Sequence, residues 1–337
     1  MTHHLSRLFG IIALSLGLML AVPATQAQAQ VNPTASSVTE DALFDTLGPG
    51  NAAVAGRTSI ADPNAGYLIK PENRSWAALQ GSTLHTVSIV LIVGMIVLLA
   101  GFYMIRGRIR VEGGLSGRKI LRFTAIERFA HWTLASTFII LALTGLNLII
   151  GRSVILPLVG EATFGTMTAW GKLAHNFLAW PFMVALALIV VFWLVHNLPA
   201  RVDWQWIKQG GGLLKKGAHP PAGKFNAGQK LIFWSVVLGG AALSFTGYML
   251  MFPMQAGGFE SWQFYQTIHA LAAGILSAII IAHIYLGSVG MEGAFDAMGS
   301  GEVDENWAKE HHALWVEEVQ GAAAKGTAAP GRTHPAE

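Results

Sequence analysis

Residues 267–285 read TIHALAAGILSAIIIAHIY, with no formally charged side chain and a histidine near each end, His269 and His283. The charge-free run continues to 291, and as a helix it is long enough to cross about 30 Å of hydrocarbon. Four similar runs precede it: 84–105, 129–151, 173–200 and 231–252. Pro253 and the stretch 255–261, with its Gly257-Gly258 pair, interrupt the chain between the last two, so 231–291 predicts a helical hairpin rather than one long helix. The fold class is all-α, a polytopic transmembrane helical bundle with a four-helix core over 129–291 and one extra N-terminal span over 84–105.

Composition agrees. Of 337 residues, 53% are hydrophobic and 12% charged, too few charges for a surface held in water. With no cysteine, the chain cannot carry disulfides, iron–sulfur clusters, thiolate metal sites or covalently attached haem. Twelve histidines remain.

The flanks read separately. Residues 1–29 carry Arg7, the apolar run from Ile11 to Val22, Pro23 and a stretch ending Ala27-Gln28-Ala29, the layout of a secretory signal peptide. Residues 30–83, rich in small and polar residues without a sustained period, predict an exported, largely irregular segment. Segment 106–128 holds seven Lys/Arg and segment 201–230 holds six, against two in 152–172 and none in 253–266. By the positive-inside asymmetry, 106–128 is a cytoplasmic basic loop, and the chain sits in a bacterial inner membrane with its mature N-terminus periplasmic. Five crossings then leave 292–337 as a cytoplasmic tail, acidic and partly helical, with the His311-His312 pair solvated. The net charge of +3 is accounted for by orientation and lipid contact, without nucleic acid.

Histidines inside a membrane are costly unless they find partners. Alternating span directions place His131 and His283 at the cytoplasmic level, and His175 and His269 at the outer level. On the fifth span fourteen residues separate His269 from His283, about 1400° of helical rotation, so both project from one side about 21 Å apart. Two bis-histidine levels at that spacing suit two stacked haems, which without cysteine are b-type. The metal ligands expected are therefore His131, His175, His269 and His283, paired His175 with His269 and His131 with His283. Small residues nearby, among them Ala270, Gly274, Ala282 and Gly145, leave room for a flat ring. Any one of these histidines could equally hydrogen-bond a neighbouring helix; the matched depths favour ligation. His85 and His196 lie at span ends as weaker candidates, with His196 the substitute should His131 or His283 fail, and His219 lies in an exposed loop.

Several stretches resemble the gamma (cytochrome b) subunit of membrane-bound respiratory formate dehydrogenase: Glu127-Arg128-Phe129-Ala130-His131-Trp132, Leu173-Ala174-His175-Asn176, His196-Asn197-Leu198-Pro199, Lys224-Phe225-Asn226-Ala227-Gly228-Gln229-Lys230, Ile268-His269-Ala270, and Asn306-Trp307-Ala308-Lys309 before His311-His312. The resemblance covers about residues 120–320. It implies a membrane anchor holding two haems b with the same ligand pairs, taking electrons from an exported iron–sulfur beta subunit. Through that subunit it serves a catalytic alpha subunit containing molybdenum or tungsten, where formate is oxidised. It also implies a quinone (menaquinone or ubiquinone) site formed by Asn226, Gly228 and His283, although residues 226–228 alone read as a loop turn before the fourth span. Other readings of the residues are a cytochrome b anchor for a hydrogenase or thiosulfate reductase, or a haem-free anchor or transporter.

Overall fold

The structure is a computed structural model describing Trp76, residues 78–213 and residues 217–327. The expected signal peptide, residues 30–75 and 77 of the exported segment, and the last ten residues of the tail lie outside the described residues.

Among the described residues, five helices are long and apolar enough to cross a membrane. They are α1 (His85–Arg106), α2 (Ala125–Val154), α3 (Glu161–Trp193), α4 (Ala227–Met251) and α5 (Phe259–Tyr285). Helices α2 and α3 form one antiparallel hairpin and α4 and α5 another; α3 against α4 and α2 against α5 complete a four-helix bundle. Helix α1 packs on the outside of α5, where Gly274 lets Ser88 and Leu91 approach. Its other face exposes Val93, Ile96, Val97, Leu98, Met104 and Ile105, apolar surface that belongs in hydrocarbon. The protein is a multi-pass membrane protein.

Helix ends are set by local chemistry. Thr124 caps α2 and Asn226 caps α4, each in a reciprocal capping box, with Glu127 and Gln229 respectively. Helix α3 differs from the expected run 173–200. It begins twelve residues earlier, because 161–172 continue the helix beyond the apolar run, and it stops at Trp193. There Asn197 Nδ2 donates to the Trp193 carbonyl, and Leu198 is extended ahead of Pro199. The first span also starts earlier, since a π-helical turn, Leu79–Leu84, carries helix back into what read as irregular chain.

At the ends of the helices where the basic segments lie, called the basic end below, loop and tail interlock. Strand β1 (Lys119–Leu121) pairs antiparallel with β2 (Glu302–Asp304), and Ile109 bridges to Met291. The tail continues as α6 (Glu305–His311) and α7 (Ala313–Thr327). Burial alone would raise the Asp304 pKa, but the amides of Ser116, Gly117 and Asn306 outweigh it and hold the carboxyl below its ordinary range.

The expectation of a solvated His311-His312 pair is overturned. His312 is fully buried, with Nδ1 2.8 Å from the Gly223 carbonyl oxygen, and Trp307 and Trp315 are buried beside it. The reason is apolar packing on the neighbouring loop: Val303, Trp307, Ala308, Trp315 and Val316 join the core with Phe123 and Phe225. Burial holds the His312 pKa well below its ordinary value and pushes that of His311 down to about 4.

Candidate cofactor site

The four predicted histidines meet in two pairs across the bundle. His131 on α2 faces His283 on α5 with ring centroids 6.3 Å apart, and His175 on α3 faces His269 on α5 at 6.1 Å. Helix α5 thus supplies one imidazole to each level. Two imidazole nitrogens about 2 Å from a shared metal, each about 1.1 Å from its own ring centre, put the centroids about 6.2 Å apart. The observed separations therefore fit one metal between each pair. The ring planes cross at 65° and 62°.

The pair at the far end from the basic segments has a second layer. His175 Nδ1 lies 2.9 Å from Thr144 Oγ1, and His269 Nδ1 lies 2.9 Å from Thr246 Oγ1. The residue after each threonine is a glycine that lets the imidazole close in: a Cβ on Gly145 would lie 3.3 Å from His175 Cε1, and one on Gly247 would lie 3.2 Å from His269 Cε1. The sequence predicted clearance at Gly145; the ring it admits is the imidazole of His175.

At the basic end the surroundings differ. His131 Nδ1 is buried without a hydrogen-bond partner among the described residues, and its ring lies edge-on to Trp132 and tilted to Trp193. One turn before His131, Glu127 Oε1 accepts from Trp193 Nε1 at 2.9 Å and from Lys224 Nζ at 3.0 Å, while Oε2 accepts from Thr124. Arg122 is buried with its guanidinium near the rings of Phe123, Trp307 and Trp315, and it donates to the Lys224 carbonyl at 2.6 Å. Burial lowers its pKa to about 9, so it is still a cation at neutral pH.

Asn226 and Gly228 occupy the cap and first turn of α4, at the same end as His283. Asn226 Oδ1 accepts from the Gln229 amide at 2.9 Å, which makes it a helix cap first. Gly228 is covered by Trp206, whose ring edge would lie 2.8 Å from an added Cβ. His196, the substitute named from the sequence, is exposed, while His131 and His283 face each other. His85 Nε2 lies 2.9 Å from Ser153 Oγ, tying α1 to α2, and exposed His219 faces Glu112 at 3.2 Å. Sequence reasoning missed Thr144 and Thr246, although the repeated Thr-Gly pairs 144–145 and 246–247 were a visible signal. It also missed the ion pair of Glu127 and Lys224.

A model of the prokaryotic cytochrome b561 family matches residues 122–301, a stretch that contains all four histidines. The chain is 34% identical over 212 residues to the nitrate-inducible formate dehydrogenase cytochrome b556(Fdn) subunit of Escherichia coli K12, covering 62% of this chain and 95% of that protein. It is 28% identical to the cytochrome b556(fdo) subunit of the same organism, covering 60% and 93% of the two chains. Against the formate dehydrogenase cytochrome b556 subunit of Haemophilus influenzae it is 27% identical, covering 59% and 83%. The family match over more than half of the chain and the likeness to these relatives show that the chain belongs to the prokaryotic cytochrome b561 family, with the cytochrome b subunits of formate dehydrogenase among its relatives.

Proposed function

We propose that the chain is the membrane-anchoring dihaem subunit of a formate dehydrogenase. It takes electrons from an exported iron–sulfur subunit at the end marked by His175 and His269, and delivers them to quinone at the basic end. The observation that carries this reading is the two imidazole pairs, at 6.1 and 6.3 Å, both drawn from α5. Each haem b, when bound, would supply a one-electron Fe(III)/Fe(II) couple. Formate would be oxidised on a separate molybdenum- or tungsten-containing subunit.

The chain's own residues bind and orient. His175 and His269 would hold the outer haem, and His131 and His283 the inner one. Asn226, the Gly228 amide and His283 would receive the quinone carbonyls, for which an amide N–H and an imidazole are suitable hydrogen-bond partners. Reducing a quinone consumes two electrons and two protons. The ion pair of Glu127 and Lys224, one turn from His131, holds an exchangeable proton at Lys224 Nζ close to where these protons would enter.

The concentration of Lys and Arg at one end supports a cytoplasmic placement for that end in a bacterial inner membrane, with the mature N-terminus periplasmic and the C-terminus cytoplasmic. Electrons crossing toward it move charge against the membrane potential, at about 2.3 kcal/mol per charge per 100 mV. A reduced-minus-oxidised spectrum of the purified complex, with haem quantified per chain, tests the reading. Two b haems are expected; fully assembled complex with none would refute it.

A further inference from the structure

We infer that Thr144 and Thr246 are positioning residues that lock the His175/His269 pair in one tautomer and give the haem held there a lower midpoint potential than the one held by His131 and His283. This rests on the dihaem reading above and deepens it. The argument starts from a proton count. A threonine hydroxyl has one proton to donate. Thr144 Oγ1 donates it to the Ile140 carbonyl at 2.7 Å, and Thr246 Oγ1 donates to the Ala242 carbonyl at 2.7 Å. Each oxygen can therefore only accept from the imidazole 2.9 Å away, so the proton of His175 and of His269 is on Nδ1 and the lone pair of Nε2 is left for a metal.

The arrangement is built twice from unrelated stretches. On α2 the Thr-Gly pair cradles a histidine from α3, and on α4 a second Thr-Gly pair cradles a histidine from α5, each with an imidazole carbon 3.2 to 3.3 Å from where a glycine Cβ would stand. Thr246 is only 3% exposed, so water does not compete for its hydroxyl. An imidazole whose N–H is hydrogen-bonded is a more basic ligand. A more basic ligand favours Fe(III) over Fe(II), which lowers the midpoint.

The other level is arranged the opposite way. His131 Nδ1 is buried with no acceptor among the described residues. A weaker ligand favours Fe(II). The sequence thus builds a downhill step from the far level to the basic one.

Redox titration of the purified complex, following haem absorbance, tests this with Thr144→Val, Thr246→Val and the double variant, and with Thr144→Ser and Thr246→Ser as hydroxyl-retaining controls. In the double valine variant the lower midpoint should rise by about tenfold in reduction equilibrium, about 59 mV for one electron. The upper midpoint should stay in place, and the serine variants should titrate like the unaltered complex. A lower midpoint that does not move, or an upper one that moves instead, overturns the inference while leaving two haems in place. Should valine cost the complex its haem, the serine variants still decide, because loss or displacement of the lower midpoint with the hydroxyl retained also overturns it. An unaltered complex with fewer than two haems per chain fails differently, removing the dihaem reading and this inference together.

Discussion

The two histidine pairs have nearly the same ring separation and opposite surroundings. His175 and His269 each rest on a threonine and a glycine, close to the end of the bundle with few charges. His131 and His283 lie at the end where loop and tail interlock, with no hydrogen-bond partner at His131 Nδ1 among the described residues and a part-buried ion pair that starts one turn away at Glu127. The geometry needed to hold a flat cofactor is therefore separable from the polar setting that decides what it does. At one level both imidazoles meet hydroxyls from within the bundle, whereas at the other His131 Nδ1 meets no partner among the described residues.

The comparison breaks most sharply when one imidazole of a pair is removed. His269→Ala should leave one haem per chain and cut electron entry, whereas His283→Ala should leave the other haem and abolish quinone reduction. Haem quantification combined with potentiometry separates them, since the surviving midpoint should be the higher one in His269→Ala and the lower one in His283→Ala. Retention of both haems in either variant would dissolve the pairing.

A second effect is confined to the basic end. Arg122→Met removes the hydrogen bonds to the Lys224 carbonyl and to Gln229 Oε1, along with three ring contacts. It should cost about 3 kcal/mol of local stability. Limited proteolysis should then cut within 302–327, and quinone reduction should fall while both haems remain. Lys at the same position should not rescue, because its point charge cannot replace a planar guanidinium stacked on rings.

Acid provides a gentler test of the same cap. His312 and His311 have depressed pKa values in the docked tail, His311 down to about 4, with burial the main cause. In a released tail they would protonate near 6.5. The stabilisation from keeping them neutral is therefore fully present above about pH 6.5 and is lost as pH falls toward 4. Protection factors for hydrogen exchange of residues 302–320, taken against the intrinsic rate at each pH, should fall across that window, while those of the amides around Thr144 and Thr246 hold; a uniform fall would show that the cap is not a separate unit.

The bundle and the pairing of its four histidines were legible in the sequence because hydrocarbon leaves few alternatives. Charge-free runs of fixed length must be helices, and fourteen residues between His269 and His283 must bring both to one side. The cap was not legible, since its strands are three residues long and pair 119–121 with 302–304, a partnership no local pattern announces. His311-His312 carried no sign of burial either, because the carbonyl that His312 meets, on Gly223, lies nearly ninety positions away. The outer tuning was half visible: Leu143-Thr144-Gly145 and Phe245-Thr246-Gly247 are alike on the page, but only packing shows that each faces a histidine on the neighbouring helix.

The smallest predicted effect probes how closely the far pair is fitted. A methyl group added by Gly145→Ala or Gly247→Ala would stand 3.3 or 3.2 Å from an imidazole carbon, so the ring must shift by a few tenths of an ångström. Alanine favours a helix over glycine by about 1 kcal/mol, which offsets a crowding cost of similar size, so stability and haem content should be nearly unchanged. The shift should instead weaken the bond from Nδ1 to the threonine and raise the lower midpoint by less than Thr→Val does, leaving the upper midpoint as it was. No displacement in either variant would mean that the threonine contact tolerates ring movement, and that the glycines serve helix approach rather than tuning.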